Sequence, residues 1–223
     1  MGGGQRLSQF ADRLRSILVF GGDLPTFDVS WVPAEPTGLF ATWLTEAVAA
    51  GVPEPHASIL STVDADGHPD ARVLILKDVT TEGWWFASSA NSPKGMQLAA
   101  CPFAAMTWYW PGQGRQIRVR GEVHPASAED SAADYLARAP GGRAEALVGR
   151  QSEPLRDHAQ LAEALAAAES ELNRHPDLVA KDWTRYVLSP TEVQFFQGDA
   201  NRHHVRVRYT RTGDNWTHTL LWP

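Results

Sequence analysis

A single cysteine, Cys101, among 223 residues rules out an internal disulfide and any zinc site built on several thiolates, and it suits a reducing compartment. Its neighbour Pro102 and the apolar run that follows point to a buried, unreactive thiol. Basic residues are also scarce: 20 Lys and Arg against 26 Asp and Glu leave a formal charge of -6. That balance excludes a sequence-independent nucleic-acid binder, whose affinity comes from surplus positive charge. Long apolar runs are missing too. In the opening MGGGQRLSQFADRLRSILVF the apolar part, SILVF, is too short for a secretion signal and no small-residue cleavage site follows, so the expected compartment is the cytoplasm. There is no G-x-G-x-x-G turn, no internal repeat, no low-complexity linker and no credible catalytic triad.

What the chain does have is short strands. Residues 1–36, with FGGDLPTFDVSWVPAEP, read as an extended or flexible lead-in punctuated by proline. Thr37 is placed to cap a helix in which Leu39, Trp43 and Ala47, with Phe40, Leu44 and Val48, recur at helical spacing until Gly51 and Pro53. Then come HASILSTV, the turn DADGHPD, ARVLILKDV, WWFASS, PFAAMTWYW and RQIRVRGEV, and near the end TRYVLSP, EVQFFQG, HHVRVRY and WTHTLLWP. Short strands divided by turns predict a mainly β, α+β architecture, an antiparallel barrel or sandwich over residues 37–223, with helices inserted. One helix is expected in SAEDSAADYLAR, ended by APGGR. Another is expected over 157–173, where Asp157 and Gln160 have capping-box spacing and Leu161, Leu165, Ala168 and Leu172 form a packing stripe.

Within this acidic chain, cations gather at particular strands. If ANRHHVRVRY is extended, Arg202, His204, Arg206 and Arg208 share a face. Arg72 and Lys77 bracket RVLILK, a run apolar on both faces and hence expected to be buried. Lys94 in SANSPKG follows serines at the start of a short helix, where hydroxyls, backbone N–H groups and a lysine make a phosphate cradle. Gln116, Arg118 and Arg120 alternate on one strand face. Each feature alone is ordinary, since Lys and Arg commonly guard strand edges; several together point to anion binding. No metal site is expected: His203 and His204 would face opposite ways on a strand, without a carboxylate or cysteine motif beside them.

The motifs RVLILK, SPKG, GRQIRVRGEV, GRQS, VQFFQG and RHHVR stand in the order and spacing of the pyridoxamine 5'-phosphate oxidase family, which this chain resembles over residues 55–223. The resemblance implies a split β-barrel of antiparallel Greek-key type. It further implies a homodimer with FMN in clefts between the subunits, and oxidation of an amine or alcohol carbon with electrons passed to dioxygen. Carried over, the family's FMN contacts fall on Arg72, Val73, Leu74, Ile75, Leu76, Lys77, Ala87, Ser88, Lys94, Gln116, Gln151, Ser152, Phe196 and Arg206. Its substrate contacts fall on Lys77, Tyr135, Arg138, Arg202 and His204, the last two orienting the substrate and balancing charge at the reacting carbon.

The chain departs from the family pattern in places. Pro93 stands where an arginine is usual, Phe196 where a tryptophan is usual, and Leu220 replaces the arginine of the C-terminal motif. In YLARAPGGR, Arg138 is displaced by one residue, and Gly142 or Arg143 stands near the usual serine. Two alternatives therefore stand beside a pyridoxamine phosphate oxidase: a phenazine-type flavin oxidase acting on a reduced tricyclic compound, and a flavin-binding protein without turnover. On an ideal strand Arg72 and Lys77 have opposite parity, so a bulge or strand end must separate their tasks.

Overall fold

The computed structural model describes residues 3–223. Instead of an extended lead-in, the chain opens with helix α1 (Gly3–Arg15) and becomes irregular only afterwards. Helix α2 (Pro36–Ala49) starts on Pro36 at its first turn, with Glu35 rather than Thr37 at the cap and no side-chain capping bond. Proline suits this place because its fixed φ is already helical and the missing N–H has no partner to lose. Leu39, Phe40, Trp43 and Ala47 are buried, as the spacing predicts, while Val48 faces solvent.

Among the described residues, nine strands form one antiparallel sheet in the order β2-β1-β5-β6-β7-β4-β3, with β8 joining β7 and β9 joining β8. They are β1 (Ala57–Val63), β2 (Pro69–Ile75), β3 (Asp78–Val79), β4 (Trp84–Ser89), β5 (Phe103–Trp110), β6 (Arg115–Pro125), β7 (Trp183–Gln197), β8 (Val205–Thr212) and β9 (Asn215–Leu220). The two strands expected in TRYVLSP and EVQFFQG are one strand, β7. Its first part pairs with β4 and its last with β8, both opposite β6. Pro190 is tolerated inside it because the ladder slips there: Arg120 pairs Glu192, yet Gly121 pairs Pro190. Gly121 is required at the bulge, since a Cβ would stand 2.0 Å from the Ser189 carbonyl oxygen. The bulge curls the sheet into a split barrel around its core.

That core is aromatic. Phe40 meets Trp84 and Trp108 edge to face at 5.6 and 4.9 Å, and Trp43 meets Phe195 at 5.2 Å, arrangements favoured by the ring quadrupoles. Phe40 is fully buried, so truncating it to alanine removes about 3–5 kcal/mol. The tryptophan-rich strands β4 and β5 thus serve this chain's own core, and of their aromatics only Phe103 and Tyr109 are largely exposed.

The RVLILK run corrects the reading of its sequence. β2 lies at the sheet edge, where Val73 is 67% and Ile75 40% exposed and only Leu76 is buried. Its apolar character is left uncovered within one chain.

Three helices pack beyond the sheet. α4 (Ala128–Leu136) is capped by Ser127, whose hydroxyl accepts the Asp130 N–H. APGGR does not simply end it: Pro140 begins a further helix, α5 (Pro140–Val148), unforeseen because Pro and two glycines read as a break. α6 (His158–Arg174) is capped by Asp157, and its Ala168 and Leu172 pack on Ala144 of α5. Among the described residues no helix is long and apolar enough to cross a membrane.

Candidate functional site

The short helix α3 (Pro93–Ala100) begins where the serine-rich turn ends. Ser92 caps it by accepting the Gly95 N–H, and Pro93 occupies the first turn. Gly95 is obligatory, because a Cβ would stand 2.4 Å from the Ala90 carbonyl oxygen. This geometry turns Lys94 inward, where its ammonium donates to Ser88 Oγ at 3.0 Å, Ser92 Oγ at 3.2 Å and Gln151 Oε1 at 2.8 Å. Neutral oxygens are its direct partners. Burial, with the nearby Arg72 charge, pulls the Lys94 pKa from 10.5 down to about 8. A buried cation without a directly bonded carboxylate is the donor set a phosphate fits.

Arg72 comes to the same place from β2. Its Nη1 donates to the Leu60 carbonyl oxygen at 3.3 Å and Thr62 Oγ1 at 2.6 Å, and its Nη2 to Gln97 Oε1 at 3.1 Å and Asp70 Oδ2 at 2.5 Å. Arg72 and Lys94 line a cavity of about 500 Å³ together with Val73, Leu74, Ala87, Ser88, Gln151 and Ser152, all expected cofactor contacts, and Arg138 from the expected substrate set. Ser152 has φ +68, a left-handed conformation a serine adopts only when its surroundings enforce it. Leu161 and Leu165, assigned from sequence to packing alone, also line the cavity.

The remaining expected residues, Arg138 apart, do not line this cavity. β2 ends at Ile75, and this strand end resolves the parity problem: Lys77 sits beyond it, its N–H bonded to the Trp85 carbonyl and its ammonium 3.3 Å from Asp134 Oδ1. The other Asp134 oxygen accepts the Trp183 indole N–H at 2.9 Å. Tyr135 is fully buried, its hydroxyl donating to the Arg143 carbonyl oxygen at 2.8 Å, and burial raises its pKa. Arg138 lies over the Trp183 ring at 4.1 Å and donates twice to the Gly142 carbonyl oxygen.

Arg202 and His204 are not on a strand, because β8 begins only at Val205. They belong to a tight turn built on Asp199, which accepts the Asn201 and His203 N–H groups, with Arg202 at φ +68. Strand parity therefore does not place them on one face with Arg206. His204 Nδ1 accepts the Asp199 N–H at 3.0 Å, which puts the ring proton of the neutral form on Nε2. Its ring packs on Phe196 at 5.2 Å and on Phe20 at 5.1 Å. Arg206 is a true strand residue, paired across from Phe196, and donates to Gln194 Oε1 at 2.9 Å. Gln116 pairs with Phe196 from β6, so these three form one row across the sheet.

Sheet and cavity together define the class: a split-barrel protein with a cationic pocket beside its edge strand. The chain belongs to the pyridoxamine 5'-phosphate oxidase family, whose model matches residues 44–171. Residues 183–223 match a second model, the pyridoxine 5'-phosphate oxidase C-terminal dimerisation region. A protein of Hyphomonas neptunium named pyridoxine/pyridoxamine 5'-phosphate oxidase is 40% identical, over 84% of this chain and 87% of the relative. A Legionella pneumophila protein of the same name is 35% identical over 95% of this chain and 99% of its own length. Among solved structures, PhzG from Burkholderia lata, in complex with tetrahydrophenazine-1-carboxylic acid, has TM-score 0.81 and 30% identity, covering 91% of this chain and all of that one.

Proposed function

We propose that this chain is an FMN-dependent pyridoxine/pyridoxamine 5'-phosphate oxidase that works as a homodimer. The observation that carries the reading is the Lys94–Arg72 cavity, whose serine hydroxyls and paired cations suit the phosphate of FMN, together with relatives of that name across most of the chain. FMN, when bound, would supply a two-electron acceptor that is reoxidised by dioxygen to hydrogen peroxide; an alcohol carbon would give the aldehyde directly, and an amine carbon an imine that water hydrolyses to pyridoxal 5'-phosphate with release of ammonia.

The protein's own residues supply position and charge. Lys94, Arg72, Ser88, Gln151 and Ser152 hold the phosphate, Val73, Leu74 and Ile75 on the β2 edge and Leu76 just beyond it run along the cofactor, and Ala87 keeps the opposite wall small. Gln116, Phe196 and Arg206 form a second cofactor surface, and Lys77, Tyr135, Arg138, Arg202 and His204 serve the substrate. Arg138 borders the first set's cavity, whereas Gln116, Phe196, Arg202, His204 and Arg206 do not line it within one chain. A second copy brings them together, which the match of residues 183–223 to a dimerisation region and the uncovered Val73 and Ile75 support. Arg202 and His204 then orient the substrate and offset charge at the reacting carbon.

A second reading has its own support. Tyr135 and Arg138, expected at the substrate phosphate, are engaged by the carbonyls of Arg143 and Gly142. That favours a substrate without phosphate, as in the phenazine-bound structural relative. Peroxide release from pyridoxamine 5'-phosphate and from unphosphorylated pyridoxamine, measured side by side, tests the choice. Strong preference for the phosphorylated amine supports the first reading; no turnover of either by the FMN-loaded protein overturns it.

A further inference from the structure

Gln97 lies one helical turn beyond Lys94 on α3 and reaches across to the sheet edge. Its amide oxygen accepts from Arg72 Nη2 at 3.1 Å and from the Thr62 hydroxyl at 2.5 Å, while its amide nitrogen donates to Asp70 Oδ2 at 3.2 Å. Thr62 is itself buried and accepts from Arg72 Nη1. One side chain thus touches all three partners of this network. Asp70 also pairs with Arg72, and a carboxylate so placed competes with any incoming anion. By occupying Asp70 with an amide N–H and steadying Arg72 with an amide oxygen, Gln97 lets the arginine serve two anions at once.

The covalent placement adds to this. Because Gln97 and Lys94 share a short helix, the same rigid element that aims the lysine also fixes the arginine of the neighbouring strand. The hydrogen bonds of Arg72 run through Nη1 and Nη2, and among the described residues Nε makes none. The guanidinium of this cavity-lining residue is anchored through its two terminal nitrogens and keeps the Nε donor in hand.

We propose that Gln97 is a positioning residue for the phosphate-holding Arg72, acting on the phosphate of the cofactor and not on its ring system. The proposal rests on the FMN reading above. Its signature is selective: loss of Gln97 weakens binding of FMN but leaves binding of riboflavin, the same ring without phosphate, unchanged. A general loosening of the fold would weaken both alike.

The test is flavin-fluorescence titration of the flavin-free protein with FMN and with riboflavin, for wild type, Gln97→Met and Thr62→Val. Wild type should prefer FMN. Gln97→Met, similar in length but unable to hydrogen-bond as an amide, should lose about tenfold in FMN affinity with riboflavin affinity intact, the size of one lost hydrogen bond to a charged group. Thr62→Val should shift the same ratio by about threefold, and it carries the test if Gln97→Met does not fold. An unchanged FMN-to-riboflavin ratio in the folded variants overturns the role of Gln97, whether both affinities fall or neither does. A wild type that does not prefer FMN overturns the phosphate site itself, and the proposal with it.

Discussion

The Lys94 cavity and the Asp199–Arg206 turn are both cationic, yet they are built in opposite ways. In the first, the charge is buried, its helix is capped, and a glycine without room for a Cβ fixes the backbone. In the second, Arg202 is exposed and left-handed, His204 is steadied by one backbone N–H and two aromatic rings, and Arg206 rests on Gln194. One chain therefore finishes the Lys94 cavity but leaves Arg202, in the Asp199–Arg206 turn, open to solvent, which on the reading proposed above separates the phosphate holder from a surface that a second subunit completes. A pre-formed site holds what stays bound; a surface completed by a second subunit can admit and release what turns over.

The contrast breaks most sharply at Lys94. Lys94→Met removes the buried ammonium at the phosphate and should cut FMN affinity by on the order of a hundredfold in fluorescence titration, near the upper range for charge-assisted bonds. The same group predicts opposite pH trends for binding and stability. Its pKa is about 8 in the folded chain against 10.5 ordinarily, so between those values the unfolded chain binds more protons. Stability of the flavin-free protein should rise with pH through that window, while FMN affinity falls as the charge is lost. Lys94→Met should abolish both trends, as denaturant titrations across the range would reveal.

Arg206→Ala comes next. It should weaken FMN retention by about tenfold, because its donor is exchanged more readily with water than one in a buried cradle. Arg202→Ala and His204→Ala should have the smallest effect on flavin affinity, near none, and should instead slow reduction of the bound flavin by substrate in anaerobic stopped-flow. If all three variants match wild type in both measurements, the turn is only a solvated surface and the contrast between the regions fails.

How much of this was legible in the sequence differs between the same two regions. Lys94 could be read because a serine-rich turn before a short helix dictates its own geometry locally, whereas Ser88 and Gln151 came only with the family resemblance, Gln151 lying 57 residues further along the chain. The shared face of Arg202, His204 and Arg206 failed because Asp199 captures the N–H groups of Asn201 and His203 and delays the strand to Val205; parity holds only inside a ladder. RVLILK looked buried because composition reports apolarity, not which strand ends at the sheet edge. α5 was hidden by Pro140, which breaks a helix from within but begins one well. The strand pairings that curl the sheet depend on contacts distant in sequence, and only the Gly121 and Pro190 bulge left a local trace. Gln97 had the helical spacing from Lys94 to be noticed, but its partners Thr62, Asp70 and Arg72 lie on two other strands.

Everything above turns on the proposed binding of the FMN phosphate in the Lys94 cavity. The most direct measurement is the visible absorption spectrum of the purified protein, followed by mass identification of whatever chromophore acid releases. The expected result is a yellow protein that releases FMN, or a colourless one that turns yellow on addition of FMN and retains it through gel filtration. A protein that is colourless and fails to take up added FMN contradicts it.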